Sequence, residues 1–136
     1  MKNTLLAALI VAALTGCAAS TPQEARLMGP EKRYSMQIDE NYQTVYRRIV
    51  DVARTCYQVN LVTASQIVNA DLYSDTRTAT ISVGMYGALG PQLYQLIDLK
   101  AIDETHTTID AVYPLGRPDL WGQKLRGWAA GTSAAC

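Results

Sequence analysis

The 136-residue chain has no phenylalanine, a single histidine and no net charge, with 12 basic residues against 12 acidic ones. Each absence removes a class of function. A neutral chain sets up no field strong enough to suggest nucleic acid as a partner. One histidine, no Cys-x-x-Cys spacing and no acidic triad leave a catalytic metal without a ligand set, and no cofactor is expected. There is no Gly-x-Ser-x-Gly nucleophile turn and no glycine loop followed by Lys-Ser/Thr, so hydrolase and P-loop chemistry both lack their motifs. The histidine, His106, lies in Asp103-Glu104-Thr105-His106, which reads as a solvated hairpin corner, because a general base also needs a nucleophile and an oxyanion site. The apolar run Leu5 to Leu14 has only ten residues, against the roughly 20 that a membrane-spanning helix requires.

That run does belong to a recognisable pattern. Lys2, the apolar stretch and then small residues follow the charged, greasy and cleavable order of a secretory signal. It closes on Leu14-Thr15-Gly16-Cys17, which resembles the lipobox of bacterial lipoproteins. The resemblance covers residues 1–17. It implies that residues 1–16 are a cleaved signal peptide, that Cys17 receives a diacylglyceryl thioether, and that its new amino group is acylated, with palmitate a typical chain. Each buried methylene adds about 0.8 kcal/mol, so several such chains hold a protein at a membrane surface without a transmembrane helix. The next residue is Ala18, not Asp, and in Gram-negative lipoproteins this implies delivery to the outer membrane, with the domain facing the periplasm.

Setting the lipidated residue aside leaves Cys56 and Cys136, an even pair suited to an oxidising compartment. If they join, the closed loop of about 80 residues stabilises the fold by roughly 4 kcal/mol on the chain-entropy model. The alternatives are a metal pair, which has no supporting spacing, and an intermolecular bond through Cys136.

Residues 17–33 read as the lipidated Cys and a flexible tether, since two prolines, a glycine and no periodicity give a coil with a reach of order 20 Å. Residues 34–136 read as one α+β domain. YSMQI (34–38) is a short strand, and Asp39 or Asn41 can cap a helix reaching Tyr57, with Tyr42, Val45, Tyr46, Ile49, Val52, Ala53 and Cys56 on one face. The period then changes to two. Residues 68–73 and 79–85 alternate around a Ser74-Asp75-Thr76 corner, and runs 93–102 and 108–113 flank the corner 103–107. Pro118 suits the first turn of a closing helix with Trp121, Leu125 and Trp128 in one stripe. The expected order is β-α-β-β-β-β-α, an antiparallel meander sheet of four to five strands with both helices on one face. It is loosely similar to the helix-grip domains of accessory lipoproteins of outer-membrane assembly.

The stretch 84–91, GMYGALGP, reads as a glycine-rich break between strands, and its Met85, Tyr86 and Leu89 are candidate contacts for a partner or a membrane. Arg47, Arg48 and Arg54 are expected to pair with Asp51 along the helix. Eight tyrosines favour recognition over catalysis. Together these features point to a non-enzymatic binding or scaffolding module of the cell envelope with a protein partner. The alternative is a carrier of a lipid or other small amphiphile, held between the sheet and the C-terminal helix near Trp121 and Trp128.

Overall fold

The computed structural model describes residues 18–136. They form α1 (Pro22–Arg26), β1 (Arg33–Ile38), α2 (Tyr42–Tyr57), β2 (Val59–Asn60), β3 (Ala64–Tyr73), β4 (Thr78–Gly87), β5 (Gly90–Ala101), β6 (Thr107–Val112) and α3 (Pro118–Ala130). The strands make one antiparallel sheet in the order β1-β6-β5-β4-β3-β2. The class is α+β, with six strands where four to five were expected. The extra strand is β2, whose two residues pair with Gln66 and Ser65 and are too few to show any alternation.

Helix α2 starts at Asn41, whose side-chain oxygen accepts the Gln43 N–H at 2.9 Å and so satisfies one of the orphan donors of the first turn. Its buried face carries Val45, Ile49 and Ala53. These join Leu125 and Trp128 of α3 and the inward residues of β4, β5 and β6 in one apolar cluster. In the strands the cluster takes every second residue, Ala79, Ile81 and Val83 in β4, then Ile97 and Leu99 in β5, as a pleated backbone requires. Helix α3 begins with Pro118 at its first position and ends at Gly131 in the left-handed conformation, φ 70°. Gly122 is set by close approach, because a Cβ there would lie 2.1 Å from the Tyr34 ring. The glycine that weakens the isolated helix thus lets α3 pack onto β1.

Residues 18–33 are not a tether. Thr21 and Glu24 form a reciprocal capping box on α1. Ala19 O accepts the Leu93 N–H at 2.8 Å, and Ala19, Ala25 and Met28 pack with Leu93, Leu96 and Val112 on the face of the sheet opposite α2 and α3. Arg26 grips Asp98 with two hydrogen bonds, at 2.8 and 2.7 Å, and Arg33 bonds Asp110 and the carbonyl of Arg26. A five-residue helix is too short to show a periodicity, and its partners lie 72 residues further along the chain. Composition therefore gave no sign of the docking.

The glycine-rich stretch is also strand. β4 runs on through Gly84 and Gly87, and only Ala88 and Leu89 turn the chain, with Gly90 at φ 87° supplying the left-handed residue that a tight hairpin needs. Glycine keeps its backbone donor and acceptor, so the ladder survives where the side-chain pattern is interrupted.

An aromatic cleft between the sheet and the closing helix

Pairing between β4 and β5 slips by one residue between Val83 and Gly84, leaving Tyr94 without a partner. Such bulges re-aim side chains. Gly84 leaves room for this one, since a Cβ there would sit 3.2 Å from the Gln92 carbonyl. The slip turns Tyr94 and Gln95 together into a cleft of about 280 Å³. Trp121 of α3 and Leu115 close one side, Tyr57 at the end of α2 closes another, and Gln66 and Val83 come from the strands. Gly116 permits this closure, because a Cβ on it would approach the Trp121 ring to 3.0 Å. Lys124 lies over the same indole, 4.8 Å from the ring centroid, and fixes its orientation from outside.

At the base of the cleft lies Tyr113, 2% exposed. Its hydroxyl is the one buried side-chain polar atom among the described residues with no hydrogen-bond partner. Burial pushes this phenol well above the usual range; the nearby Gln95 amide opposes the shift slightly but falls short of a full hydrogen bond. Burial also raises Tyr57. Both phenols are therefore neutral at physiological pH and can donate a proton to an acceptor. An orphaned buried hydroxyl costs about 1–3 kcal/mol; this one has almost no accessible surface, so an acceptor entering the cleft removes that penalty only if the lining side chains shift to admit it. Pockets for drug-sized ligands usually measure about 300–1,000 Å³, so this one suits a ring or a short apolar chain with one polar end.

The other residues singled out from sequence lie elsewhere. Cys17 falls outside the described residues. Cys56 and Cys136 form a disulfide with Cα atoms 5.4 Å apart, which ties the chain end to the last turn of α2. The same end is held by Trp128 Nε1 donating to Ala135 O at 2.9 Å and by Lys124 donating to the Cys136 carbonyl. Met85 is half-buried and its sulfur accepts the Tyr94 hydroxyl at 3.5 Å, whereas Tyr86 is 45% exposed and Leu89 wholly so. These three residues thus divide between packing and display.

His106 sits in the β5–β6 turn. There the Asp103 carboxylate accepts the N–H groups of Thr105 and His106 at 2.7 and 2.8 Å and contacts the imidazole Nδ1 at 2.7 Å. The backbone bond from Thr105, then the His106 and Thr105 side chains, hold Asp103 down to about 2. The carboxylate is engaged in closing the turn. Arg48 pairs with Glu40 at 3.2 Å, not with Asp51. Of the two tryptophans expected beside a ligand, only Trp121 lines the cleft, and Trp128 is sealed in the core. Tyr57, Tyr94, Gln95 and Tyr113 were not foreseen as a group. The high tyrosine count was their one trace in the sequence, because the bulge that gathers two of them leaves no local signature.

The fold is α+β, with an aromatic cleft between the sheet and α3. No protein-family model and no curated protein matches the chain in sequence. Among solved structures it is similar to a conserved protein from Geobacillus kaustophilus, at 12% identity over 74% of this chain and 92% of that one, with a TM-score of 0.42. That likeness is too distant to bear on function.

Proposed function

We propose that the chain is a lipoprotein of the cell envelope, acylated at Cys17, anchored in the outer membrane and facing the periplasm, whose domain is a non-enzymatic binding module. Its occupant is a small amphiphile, seated between the sheet and α3, that presents a hydrogen-bond acceptor to Tyr113. The observation that carries this reading is the orphaned Tyr113 hydroxyl at the base of an aromatic cleft. The lipobox order at residues 14–17 supports the anchor, and the Cys56–Cys136 bond fits an oxidising compartment. Organic extraction of protein purified from its native membrane tests the ligand, with mass spectrometry of the extract. A stoichiometric small molecule lost in Trp121→Ala supports the cleft as its site. An extract with no such molecule removes this reading.

A scaffolding role for an envelope protein partner is the second reading, favoured by the display of Tyr86 and Leu89 at a hairpin tip. Crosslinking in intact cells that traps one dominant protein at that tip would favour it.

A further inference from the structure

Three stretches of the chain, 18–23, 55–70 and 78–97, contain no Asp, Glu, Lys or Arg. The fold brings parts of all three to one end of the sheet. Ala64 pairs with Gly87, and Gly87 with Gly90, so the turn carrying Leu61 and Val62 lies beside the turn carrying Leu89. Val62 and Leu89 are fully exposed and Leu61 is 62% exposed, large apolar side chains with no charge among their neighbours in sequence. The opposite end of the sheet is built differently, with Asp75 and Arg77 in one turn and Asp103 and Glu104 in the next.

The start of the described chain arrives at the apolar end. Ala18 and Ser20 share a shallow depression with Thr63, Ala88 and Leu89, and Ala19 is bonded to β5 there. Only one peptide unit, about 3.8 Å between Cα atoms, separates Ala18 from Cys17. We infer that the Leu61-Val62 and Ala88-Leu89 turns form a membrane-contact edge that enters the lipid surface beside the acyl chains of Cys17, holding the domain upright on the membrane with its charged turns outward. The inference rests on acylation at Cys17, as proposed above. Three observations favour lipid over a protein partner: the position of Ala18, the lack of charge, and the placement beside it of Val62 and Leu89, the two most exposed large apolar side chains among the described residues. Interfacial segments of this kind seat their apolar side chains about 5–10 Å into the headgroup and acyl boundary.

The test uses acylated full-length protein reconstituted in phosphatidylethanolamine and phosphatidylglycerol vesicles with brominated acyl chains. A nitrobenzoxadiazole dye is attached in turn at Leu89→Cys, Val62→Cys and Asp75→Cys, three turn positions where a label disturbs no core packing. The expected result is dye emission quenched by about twofold or more at the first two positions and unchanged at the third, as shallow insertion of one end predicts. Protein that floats with the vesicles and carries palmitate, yet shows no quenching at positions 62 and 89, overturns the edge and leaves the lipoprotein reading intact. Protein that neither floats nor carries palmitate overturns both. Shielding of position 89 in intact envelopes without quenching in vesicles also overturns it, and assigns the edge to a protein partner.

Discussion

The two faces of the sheet are held by different forces. Under α2 and α3 the contact is apolar and dry, with Ile49, Ile81, Ile97, Leu125 and Trp128 almost fully buried. Under α1 the apolar patch is small, five buried residues and Met28, and ion pairs supplement it: Arg26 reaches Asp98, and Arg33 of β1, paired with Asp110, donates to the Arg26 carbonyl. Those ion pairs are partly exposed, at 40% and 31% for the first, so salt and acid reach them. The difference teaches that the first face sets whether the domain folds, and the second sets how its N-terminal segment is held.

The sharpest way to break the comparison is to hollow the first face. Trp128→Ala should cost about 3–5 kcal/mol, read as a large fall in the urea midpoint. The double change Cys56→Ser with Cys136→Ser should cost roughly 4 kcal/mol by freeing a loop whose ends are 80 residues apart, and native protein should match it when reduced. Gly122→Ala should cost about 1–3 kcal/mol through overpacking against Tyr34, although alanine is the better helix former. An outcome of greater stability would mean that α3 does not lie against β1. Tyr113→Phe should raise the stability of ligand-free protein by about 1 kcal/mol or more, because it deletes an unsatisfied hydroxyl. A loss instead would reveal an internal partner and remove the basis for the cleft.

On the second face the expected effects are smallest. Arg26→Ala should cost under about 1 kcal/mol, detectable as faster amide exchange in α1 while the core stays protected. Burial alone would raise Asp98; the Arg26 and Thr80 hydrogen bonds and the Arg26 and Arg33 charges outweigh it and leave Asp98 below its usual value. Its contribution is therefore fully present above about pH 4, the value for an unfolded aspartate, and is lost as pH falls through the lower folded value. Acid should loosen α1 before it unfolds the domain. Raising ionic strength to about 1 M shortens the screening length to about 3 Å and should do the same at neutral pH. Equal loosening of α2 would erase the distinction between the faces.

Much of the first face was legible in the sequence. The seven-residue stripe from Tyr42 to Cys56 defines α2, its cap narrows to Asp39 or Asn41, of which the structure uses Asn41, and alternation from Val68 to Met85 marks β3 and β4. These signals are local and repeat many times. The second face was not legible because it rests on long-range pairs, Ala19 with Leu93 and Arg26 with Asp98, and no pattern within a short window records them. Glycine misleads at 84–91, suggesting a long break where the ladder continues to Gly87 and resumes at Gly90. The cleft combines both cases: Trp121 was visible on the α3 stripe, while Tyr94 and Gln95 depend on a slip in register that only the pairing of two strands displays.

That slip has a consequence for how the β4–β5 hairpin can change length. Leu93 and Leu96, three apart, lie in the same apolar cluster, so the strand keeps one parity up to Tyr94 and the opposite parity after it. Adding or deleting one residue at the junction of Leu93 and Tyr94 would rotate the outer part of β5 by half a turn, putting Leu93 where it can no longer meet Ala19. Adding or deleting two would restore the phase. At that junction the arm can therefore grow or shrink only in even steps, each of about 7 Å.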